Sequence, residues 1–379
     1  MADRDQSILA RIAPSVGSIA AAEWDALAGH DPFTSHAFLT LLEDSQSVGR
    51  HSGWTPVPLL IDGADGALAA AASAYLKAHS QGEYVFDHGW ADAWQRAGGN
   101  YYPKLQMAVP FTPVPGRRML GDRSVSLIAA AEAVTRNNGL SSAHATFIAP
   151  QEVAGFEAAG WLLREGIQYH WQNRDYASFD DFLAALASRK RKAIRKERAT
   201  AREGLEFLAL RGGEIGPSQW DAMWHFYQDT GSRKWGRPYL TRAFFAGLGA
   251  ALGDAVLLLL ALRDGQPIAG ALNLVGKDTV YGRYWGCSEE VPFLHFELSY
   301  YQAIEWAIAH GLASVQAGAQ GEHKLARGYE PVLTHSAHFL PDRGFREAVA
   351  TFLDGERRAI ASEMGVLRGM LPYRSTDSE

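Results

Sequence analysis

Three neighbouring residues of different chemistry stand in the glycine-rich stretch Gly318–Pro331: Glu322, His323 and Lys324. A carboxylate, an imidazole and an ammonium group this close together suit proton transfer combined with stabilisation of a developing negative charge. If the chain is extended, Glu322 and Lys324 share one face and His323 takes the other. The stretch therefore predicts a catalytic segment, and a solvated polar turn is the alternative.

A second group of polar residues lies among aromatic residues between Tyr75 and Leu105. Mixed charge and aromatic surface at strand ends is typical of a pocket for a polar small molecule or a sugar. The alternative is an aromatic core with polar tips. The residues predicted here to bind substrate are Lys77, His79, Glu83, Tyr84, Tyr102 and Lys104.

A basic run, Arg189–Arg198, interrupts a chain that is otherwise acidic, with 36 Lys and Arg against 42 Asp and Glu. A helix with such a face can contact the phosphates of RNA or of a cofactor. The usual alternative is a solvated helix face. We expect Arg191, Lys192 and Arg195 to contact the phosphates of the donor substrate.

The segment Arg283–Ser288 weakly resembles a pyrophosphate-binding turn before a helix, in which backbone N–H groups would face the phosphates. Arg283 is therefore a further candidate for binding donor phosphate, and the alternative is that it simply belongs to the strand. Trp285 beside it is a candidate for substrate contact. Cys287 has no evident base partner, which favours an inert, half-buried thiol.

Composition excludes several classes of protein. Of the 379 residues, 47% are hydrophobic and 21% are charged, which is typical of a globular chain of two domains. A single cysteine excludes an internal disulfide and a cysteine-type zinc cluster, and it favours the cytoplasm. Scattered histidines predict no metal site. The longest apolar run, Ala255–Leu262, is too short to span a bilayer.

The same order of elements occurs twice along the chain, with helices followed by a meander of strands, which predicts two units of the α+β class. We expect domains at residues 1–163 and 164–345, followed by a terminal helix and polar tail at 346–379. Three local predictions are a hairpin of Trp54–Ile61 with Ala67–Leu76, a strand at Tyr84–Asp87 and one long helix at Ser178–Arg202.

Four stretches resemble the FemAB-like peptidoglycan biosynthesis/recognition family of the GNAT acyltransferase superfamily: Gly82–Asp87, Tyr101–Leu105, Val109–Val114 and Gly318–Lys324. The resemblance implies two tandem GNAT-like domains, each a mixed, mostly antiparallel sheet flanked by helices. It also implies a more distant similarity of the second half to Fem-type aminoacyltransferases, in which a lysine at the position of Lys324 belongs to the active site.

These observations together predict an acyl- or aminoacyltransferase that forms an amide on an amine acceptor, such as a cell-wall precursor. Glu322 or His323 would act as base, Lys324 or strand N–H groups would bind the oxyanion, and Arg327 would bind substrate. The donor would be acyl-CoA or aminoacyl-tRNA, with no tightly bound cofactor. The alternatives are a CoA-dependent N-acetyltransferase, a non-catalytic muropeptide- or sugar-binding protein, and RNA binding through the basic helix alone. The sequence leaves donor, acceptor and oligomeric state open.

Overall fold

The computed structural model describes residues 10–234, 238–318 and 321–374. They form two compact units, and neither unit is continuous in sequence. The first contains the described residues up to Gly166 together with Thr334–Ile360, and the second contains Ile167–Leu333 together with the residues from Ala361 onward. The predicted domain at 164–345 differs from this division in its last residues, 334–345, which lie in the first unit. The predicted terminal segment at 346–379 is divided between the two units after Ile360.

The first unit holds two sheets. One has the strand order β1-β3-β4-β7, and the other pairs β2, β5, β6 and β8 in that order, with residues 335–339 added beside β8. Only the β6–β8 pair is parallel among these strand pairs of the second sheet. The strands are β1 Ala10–Ile12, β2 Trp54–Pro56, β3 Leu59–Asp62, β4 Leu68–Ala72, β5 Ala74–Lys77, β6 Lys104–Met107, β7 Leu120–Gly121 and β8 Ala143–Ile148.

The helices of the first unit bury apolar faces against these sheets. The helix Ser124–Asn137 packs its residues Leu127, Ile128 and Ala131 with strand residues such as Leu59 and Leu105 in one core cluster. Its helices are α1 Ala21–Ala28, α2 His36–Asp44, α3 His88–Arg96, α4 Ser124–Asn137 and α5 Val153–Ala158.

The predicted hairpin at residues 54–76 exists, but it is broken so that it serves both sheets. Its tip pairs β3 with β4, and its base pairs β2 with β5. Pro56 and Pro58 interrupt the first arm, because proline has no N–H to donate across a sheet. The predicted strand at Tyr84–Asp87 is wrong: the chain there bends, and Tyr84 has a left-handed backbone with φ 59°.

The second unit holds one sheet in the order β10-β11-β12-β13-β14-β9, in which only the β13–β14 pair is parallel. Strand β9 begins before Ile167, and β15 ends beyond Leu333, so the first two of the three passages between units fall within a strand. The third falls within a helix, after Ile360. The strands are β9 Leu162–Gln172, β10 Glu206–Arg211, β11 Val256–Arg263, β12 Gln266–Val275, β13 Thr279–Cys287, β14 Ser314–Gln316 and β15 Glu330–Phe339.

A π-helical turn, Glu297–Tyr301, lies in the helical segment that crosses this sheet, between α10 and α11. Leu298, Tyr301 and Ile304 bury this segment against the strands. The helices are α6 Phe179–Ala185, α7 Ser188–Ala201, α8 Pro217–Lys234, α9 Arg242–Leu252, α10 Leu294–Phe296, α11 Gln302–Ala309 and α12 Arg343–Gly369, whose residues up to Ile360 belong to the first unit.

The predicted single helix at Ser178–Arg202 is wrong, because it is two helices, α6 and α7. Leu186 ends the first in an extended conformation, is fully buried and forms a bridge with Tyr373. Ala187 N–H then donates to Pro372 O at 2.8 Å, so contact with a distant segment replaces one helical turn.

The α+β class in two units is confirmed, since each unit has a mostly antiparallel sheet flanked by helices and one parallel strand pair. No helix of the described residues is both long enough and apolar enough to cross a membrane.

Candidate active site

A cavity of about 120 Å³ opens in the second unit where two strands diverge. Strands β13 and β14 run parallel from Thr279 to Tyr281, and β14 ends at Gln316 while β13 continues to Cys287. On its other edge β13 carries a β-bulge, since Gly282 faces Asn273 and Tyr284 faces Leu272, which leaves Arg283 as the extra residue. Bulges twist a strand and re-aim its side chains, so the bulge and the end of β14 together shape a cleft.

The wall of this cavity combines polar and aromatic groups from four segments: β12, β13, the π-helical segment and the end of β14. Polar groups that converge in an apolar pocket are the usual composition of a small-molecule site. The lining residues are Ala271, Leu272, Asn273, Gly282, Arg283, Tyr284, Trp285, His295, Ser299, Tyr300, Ala317 and Gly318.

The predicted catalytic segment is a 3₁₀ helix, Glu322–Arg327, and not an extended chain. Gly318 and Gly321, with φ of 77° and 115°, supply the left-handed turns that lead into it. In a 3₁₀ helix successive side chains point about 120° apart. The predicted common face of Glu322 and Lys324 is therefore wrong: Glu322 and His323 are exposed, whereas Lys324 is buried.

Lys324 is buried almost without charge compensation. Its side chain donates from Nζ to Gly318 O at 2.7 Å, and Gly318 is part of the cavity wall. Burial lowers the pKa of Lys324 to about 7. Burial and the nearby Lys324 also lower the pKa of His170 to about 4, so that imidazole is neutral. Lys324 is thus a lysine that can exchange a proton near neutral pH.

His323 reaches the cavity through Tyr300. The Tyr300 hydroxyl and His323 Nε2 share a hydrogen bond of 2.8 Å, and Tyr300 lines the cavity. Burial raises the pKa of Tyr300 far above its ordinary value, so the phenol keeps its proton. The pair links the cavity to an exposed imidazole by a chain of hydrogen-bonding groups.

Arg327 is a structural group in this conformation. Its guanidinium donates from Nη2 to Glu197 Oε1 at 2.9 Å and from Nη1 to His323 O at 2.8 Å. It also lies 3.5 Å from the centre of the Phe296 ring. These contacts tie the 3₁₀ helix to α7, and binding of substrate by Arg327 stays a prediction.

The basic run forms helix α7, and it is less one-sided than the sequence indicated. Arg198 makes a bidentate ion pair with the buried Glu297, at 3.0 Å for both bonds, and a further one with Glu305 at 2.5 Å. Arg195 pairs with Asp180 on the surface. The acids that balance the run come from distant parts of the sequence. Arg191 is half-buried and Lys192 is exposed, so phosphate contact by this face stays a prediction.

The predicted pyrophosphate turn at Arg283–Ser288 is wrong, because residues 279–287 are strand β13. Arg283 and Trp285 nevertheless both line the cavity, at and beyond the bulge. Trp285 packs edge-on against His295 with ring centres 5.1 Å apart. Their roles in binding stay predictions.

The second predicted group lies in the interior of the first unit. Lys77 and Lys104 are fully buried, and Glu83 lies between them, 3.7 Å from Lys77 Nζ and 2.7 Å from Lys104 Nζ. Asp87, which the sequence analysis did not single out, pairs with Lys104 and accepts a hydrogen bond of 2.6 Å from Tyr101. This favours the alternative of an aromatic core with polar tips.

The remaining members of that group surround the same interior. Ser80 bridges Tyr102 and Lys104, with bonds of 2.8 and 2.9 Å. His79 Nε2 lies 3.0 Å from Ser52 O. Tyr84 occupies the bend after Glu83. Both lysines are fully buried, and their role in binding substrate stays a prediction.

Sequence reasoning missed Asn273, Ser299 and Tyr300. Asn273 is the one polar side chain inside the apolar stretch Ile268–Val275, a signal that pointed to a polar task within a buried strand. Helical spacing places Tyr300 in an apolar stripe, and the π-helical turn has no sequence signature that reveals it. Among the described residues, no three His, Cys, Asp or Glu side chains are grouped to hold a metal ion.

The family model described as FemAB-like, peptidoglycan biosynthesis/recognition, matches residues 15–375. The chain belongs to this family. No curated protein matches this FemAB-like chain in sequence.

Solved structures share the fold at low sequence identity. FemX is 13% identical, with a TM-score of 0.54 over 88% of this chain and 98% of FemX. A conserved protein of unknown function from Bacteroides thetaiotaomicron is 12% identical, with a TM-score of 0.54 over 87% of this chain and 99% of that one. L-PGS from Bacillus licheniformis is 11% identical, with a TM-score of 0.50 over 89% and 96%.

Proposed function

We propose that this FemAB-like protein transfers an acyl or aminoacyl group from an activated donor to an amine and so forms an amide. The observation that carries the proposal is the cavity beside the bulged end of β13, whose wall includes Tyr300 hydrogen-bonded to His323. Membership of a peptidoglycan biosynthesis/recognition family supports a cell-wall precursor as the acceptor.

The reaction assigns a task to each group. The amine nitrogen attacks the donor carbonyl, a C–N bond forms, and the C–O bond of an ester or the C–S bond of a thioester breaks. The amine proton passes to the Tyr300 oxygen while the Tyr300 proton passes to His323, which is open to solvent. The leaving oxygen or sulfur takes up a proton from solvent.

Negative charge on the tetrahedral intermediate needs positive partners nearby. Beyond Tyr281, β13 continues past the end of β14, and its backbone N–H groups are suited to this task. Lys324 lies behind the wall at Gly318 and in its protonated form adds positive charge. Glu322 is exposed in the same segment and stays a candidate base.

The direct experiment measures transfer to a peptidoglycan precursor peptide with a free amine, from radiolabelled acetyl-CoA or from radiolabelled alanyl-tRNA. Tyr300→Phe should lower turnover about a hundredfold, the lower end of what a positioned proton-transfer group contributes. His323→Gln should lower it similarly. His310→Gln, which changes another exposed histidine of the same unit, is the matched control and should retain full activity.

The outcome also separates the rival functions. Transfer from acetyl-CoA alone would identify an acyl-CoA enzyme, and transfer from alanyl-tRNA alone would identify an aminoacyltransferase. Binding of the precursor peptide without transfer from either donor would contradict the proposal and favour a non-catalytic recognition protein.

A further inference from the structure

Asn273 lies in the cavity wall on β12, and its side chain is almost completely buried, with 1% of the residue exposed. Its amide nitrogen donates to Ala271 O at 3.1 Å and to Leu257 O at 3.4 Å. Only the nitrogen of a carboxamide can donate to two carbonyl oxygens, so these bonds fix the orientation of the group. Its oxygen, Oδ1, is then available only as an acceptor.

Oδ1 of Asn273 lies on the side of the cavity. A Cβ atom placed on Gly282, another wall residue, would be 3.5 Å from this oxygen. Within the described parts of the chain, Oδ1 has no hydrogen-bond partner although it is buried. Buried polar atoms are nearly always paired in folded proteins, and an exception calls for a bound molecule or another explanation.

Ser299 supplies a second such atom in the same cavity. It belongs to the π-helical turn, lines the cavity, and its Oγ is buried without a partner among the residues described. Single π-helical turns are frequent at functional sites. Two unpartnered oxygens in one small cavity indicate a ligand that supplies the hydrogens.

We propose that Asn273 Oδ1 and Ser299 Oγ accept hydrogen bonds from an N–H group of the donor substrate, and that they thereby select a donor that carries one there. This inference rests on the proposed function. An acetyl group has no hydrogen to donate to Asn273, and a site built around a buried acceptor rejects a ligand that leaves it unpaired. Trp285 and Tyr300 supply apolar surface for the carbon part of the same ligand.

Two parts of the candidate donors carry such an N–H: the amino group of an aminoacyl ester, and the amides of pantetheine in an acyl-CoA. Three probes distinguish them. The first two are 3′-alanylamino-3′-deoxyadenosine and its 3′-propionylamino counterpart, which differ by one amino group. The third is pantetheine. Calorimetric titration of the full chain gives the affinity of each probe.

If the amino group is the partner, the alanyl probe should bind the unmodified protein about tenfold or more tightly than the propionyl probe. Asn273→Leu, which keeps the shape but removes the acceptor, should abolish that preference. Ser299→Ala should reduce it, and this milder change keeps the test valid if Asn273→Leu fails to fold. If the pantetheine amide is the partner, the same variants should instead lower the affinity for pantetheine about tenfold.

Gln106 offers a matched control in the first unit. It is a fully buried carboxamide on β6 whose nitrogen donates to Thr146 Oγ1 at 3.0 Å, and its Oε1 has no partner among the described residues. Gln106→Leu makes the same chemical change away from the cavity wall and should leave every probe affinity unchanged. Thermal unfolding of each variant shows that it is folded.

The outcomes are distinct. Equal affinities of the alanyl and propionyl probes, together with pantetheine binding that Asn273→Leu leaves unchanged, would overturn the role of Asn273 and leave the proposed transferase intact. An equal loss of affinity for all three probes in Asn273→Leu would indicate a damaged cavity. It would also overturn the selection of the donor by Asn273. No binding of any probe to the unmodified protein would contradict the proposed function itself.

Discussion

Lys324 lies where burial disfavours the positively charged form of its side chain. It is buried, its Nζ donates to a backbone carbonyl, and burial lowers its pKa to about 7. A lysine with such a pKa is charged for only part of the physiological pH range. In its protonated form Lys324 can therefore stabilise a negative charge that develops during a reaction. In its neutral form it adds little desolvation cost to the resting protein.

Lys324→Met should lower turnover about a hundredfold, because the positive charge beside the cavity is removed. The variant should fold, since removal of a buried ammonium group without a paired carboxylate relieves a desolvation cost. Steady-state kinetics with thermal unfolding in parallel tests this. A large loss of stability with unchanged specific activity would instead indicate a structural lysine.

The pH dependence provides a second test of the same residue. If the protonated form of Lys324 acts, activity is present below its folded-state pKa and falls as the pH rises through about 7. Lys324→Arg should abolish that decline between pH 7 and 9, because a guanidinium stays protonated throughout. A decline that persists unchanged in Lys324→Arg would assign the titration to another group.

In the first unit, Lys104 neutralises two buried carboxylates. Burial opposes its charge, but Glu83 and Asp87 together raise its pKa. Burial also raises the pKa of Glu83 to about 7 despite both lysines. Lys104→Met should therefore lower the free energy of unfolding by about 3–5 kcal/mol, because it leaves buried acids uncompensated.

Denaturant unfolding near pH 8 measures this effect. The matched control is Lys196→Met on the exposed face of α7, which should change the free energy of unfolding by less than about 0.5 kcal/mol. The loss in Lys104→Met should shrink at lower pH as Glu83 becomes protonated. A loss below about 1 kcal/mol at pH 8 would contradict the ion-pair account.

At the scale of elements, helix α7 has basic side chains on two sides, one packed against the protein and one exposed to solvent. Arg198 points toward the segment that follows α10, where it pairs with Glu297 and lies 4.3 Å from the ring centre of Phe179. Lys192 and Arg195 are exposed. The helix is therefore fastened on one side by an ion pair with a buried acid, and only its other side is open to a phosphate-bearing molecule.

If tRNA is the donor, the triple change of Arg191, Lys192 and Arg195 to Gln should weaken the binding of tRNA. The slope of log K against log salt concentration should become shallower by about 0.7 for each phosphate that the variant no longer binds. Gln keeps helix propensity. The matched control carries Gln at three exposed arginines of α12, which changes the net charge equally: Arg343, Arg358 and Arg368.

Fluorescence titration with tRNA at several salt concentrations compares the two triple variants. Equal weakening in both would show that net charge matters and the α7 face does not. Arg198→Gln is expected to act differently and to lower stability, because it removes the bidentate ion pair of the buried Glu297 and leaves it only Arg202 at 3.8 Å and a hydrogen bond from Gln302.

At the scale of the whole molecule, neither unit is made from one continuous stretch of chain. Residues 335–339 pair with β8, and Phe345, Val349 and Leu353 of α12 pack with Trp90 in a core cluster of the first unit. His338 of the returning strand contacts His144 at 2.7 Å between their Nδ1 atoms. The first unit therefore contains core residues from the far end of the sequence.

A fragment of residues 1–166 should consequently fail to fold, because it exposes the edge of β8 and the apolar surface that α12 covers. A fused chain in which a flexible linker joins residues 1–166 to 334–360 should recover cooperative unfolding. Circular dichroism during thermal unfolding distinguishes the two fragments. Cooperative unfolding of residues 1–166 alone would contradict the assignment of residues 334–360 to this unit.

The sequence by itself determined the class of the fold, since periodicity and turn residues are local signals. It indicated the family through the resemblance of four short stretches, such as Gly318–Lys324. It also located the segment around Lys324, because charge and glycine are concentrated there. It could not determine that Leu186 breaks a helix or that residues 334–360 return to the first unit, since both depend on contacts between distant segments.

The tertiary structure alone decided which polar groups face the cavity and which neutralise one another inside. Lys77, Glu83 and Lys104 form ion pairs only because separate elements meet in the interior. Asn273, Ser299 and Tyr300 come together because a bulge and a π-helical turn re-aim side chains of elements far apart in sequence. Neither irregularity changes the hydrophobic pattern, which is why local periodicity does not reveal them.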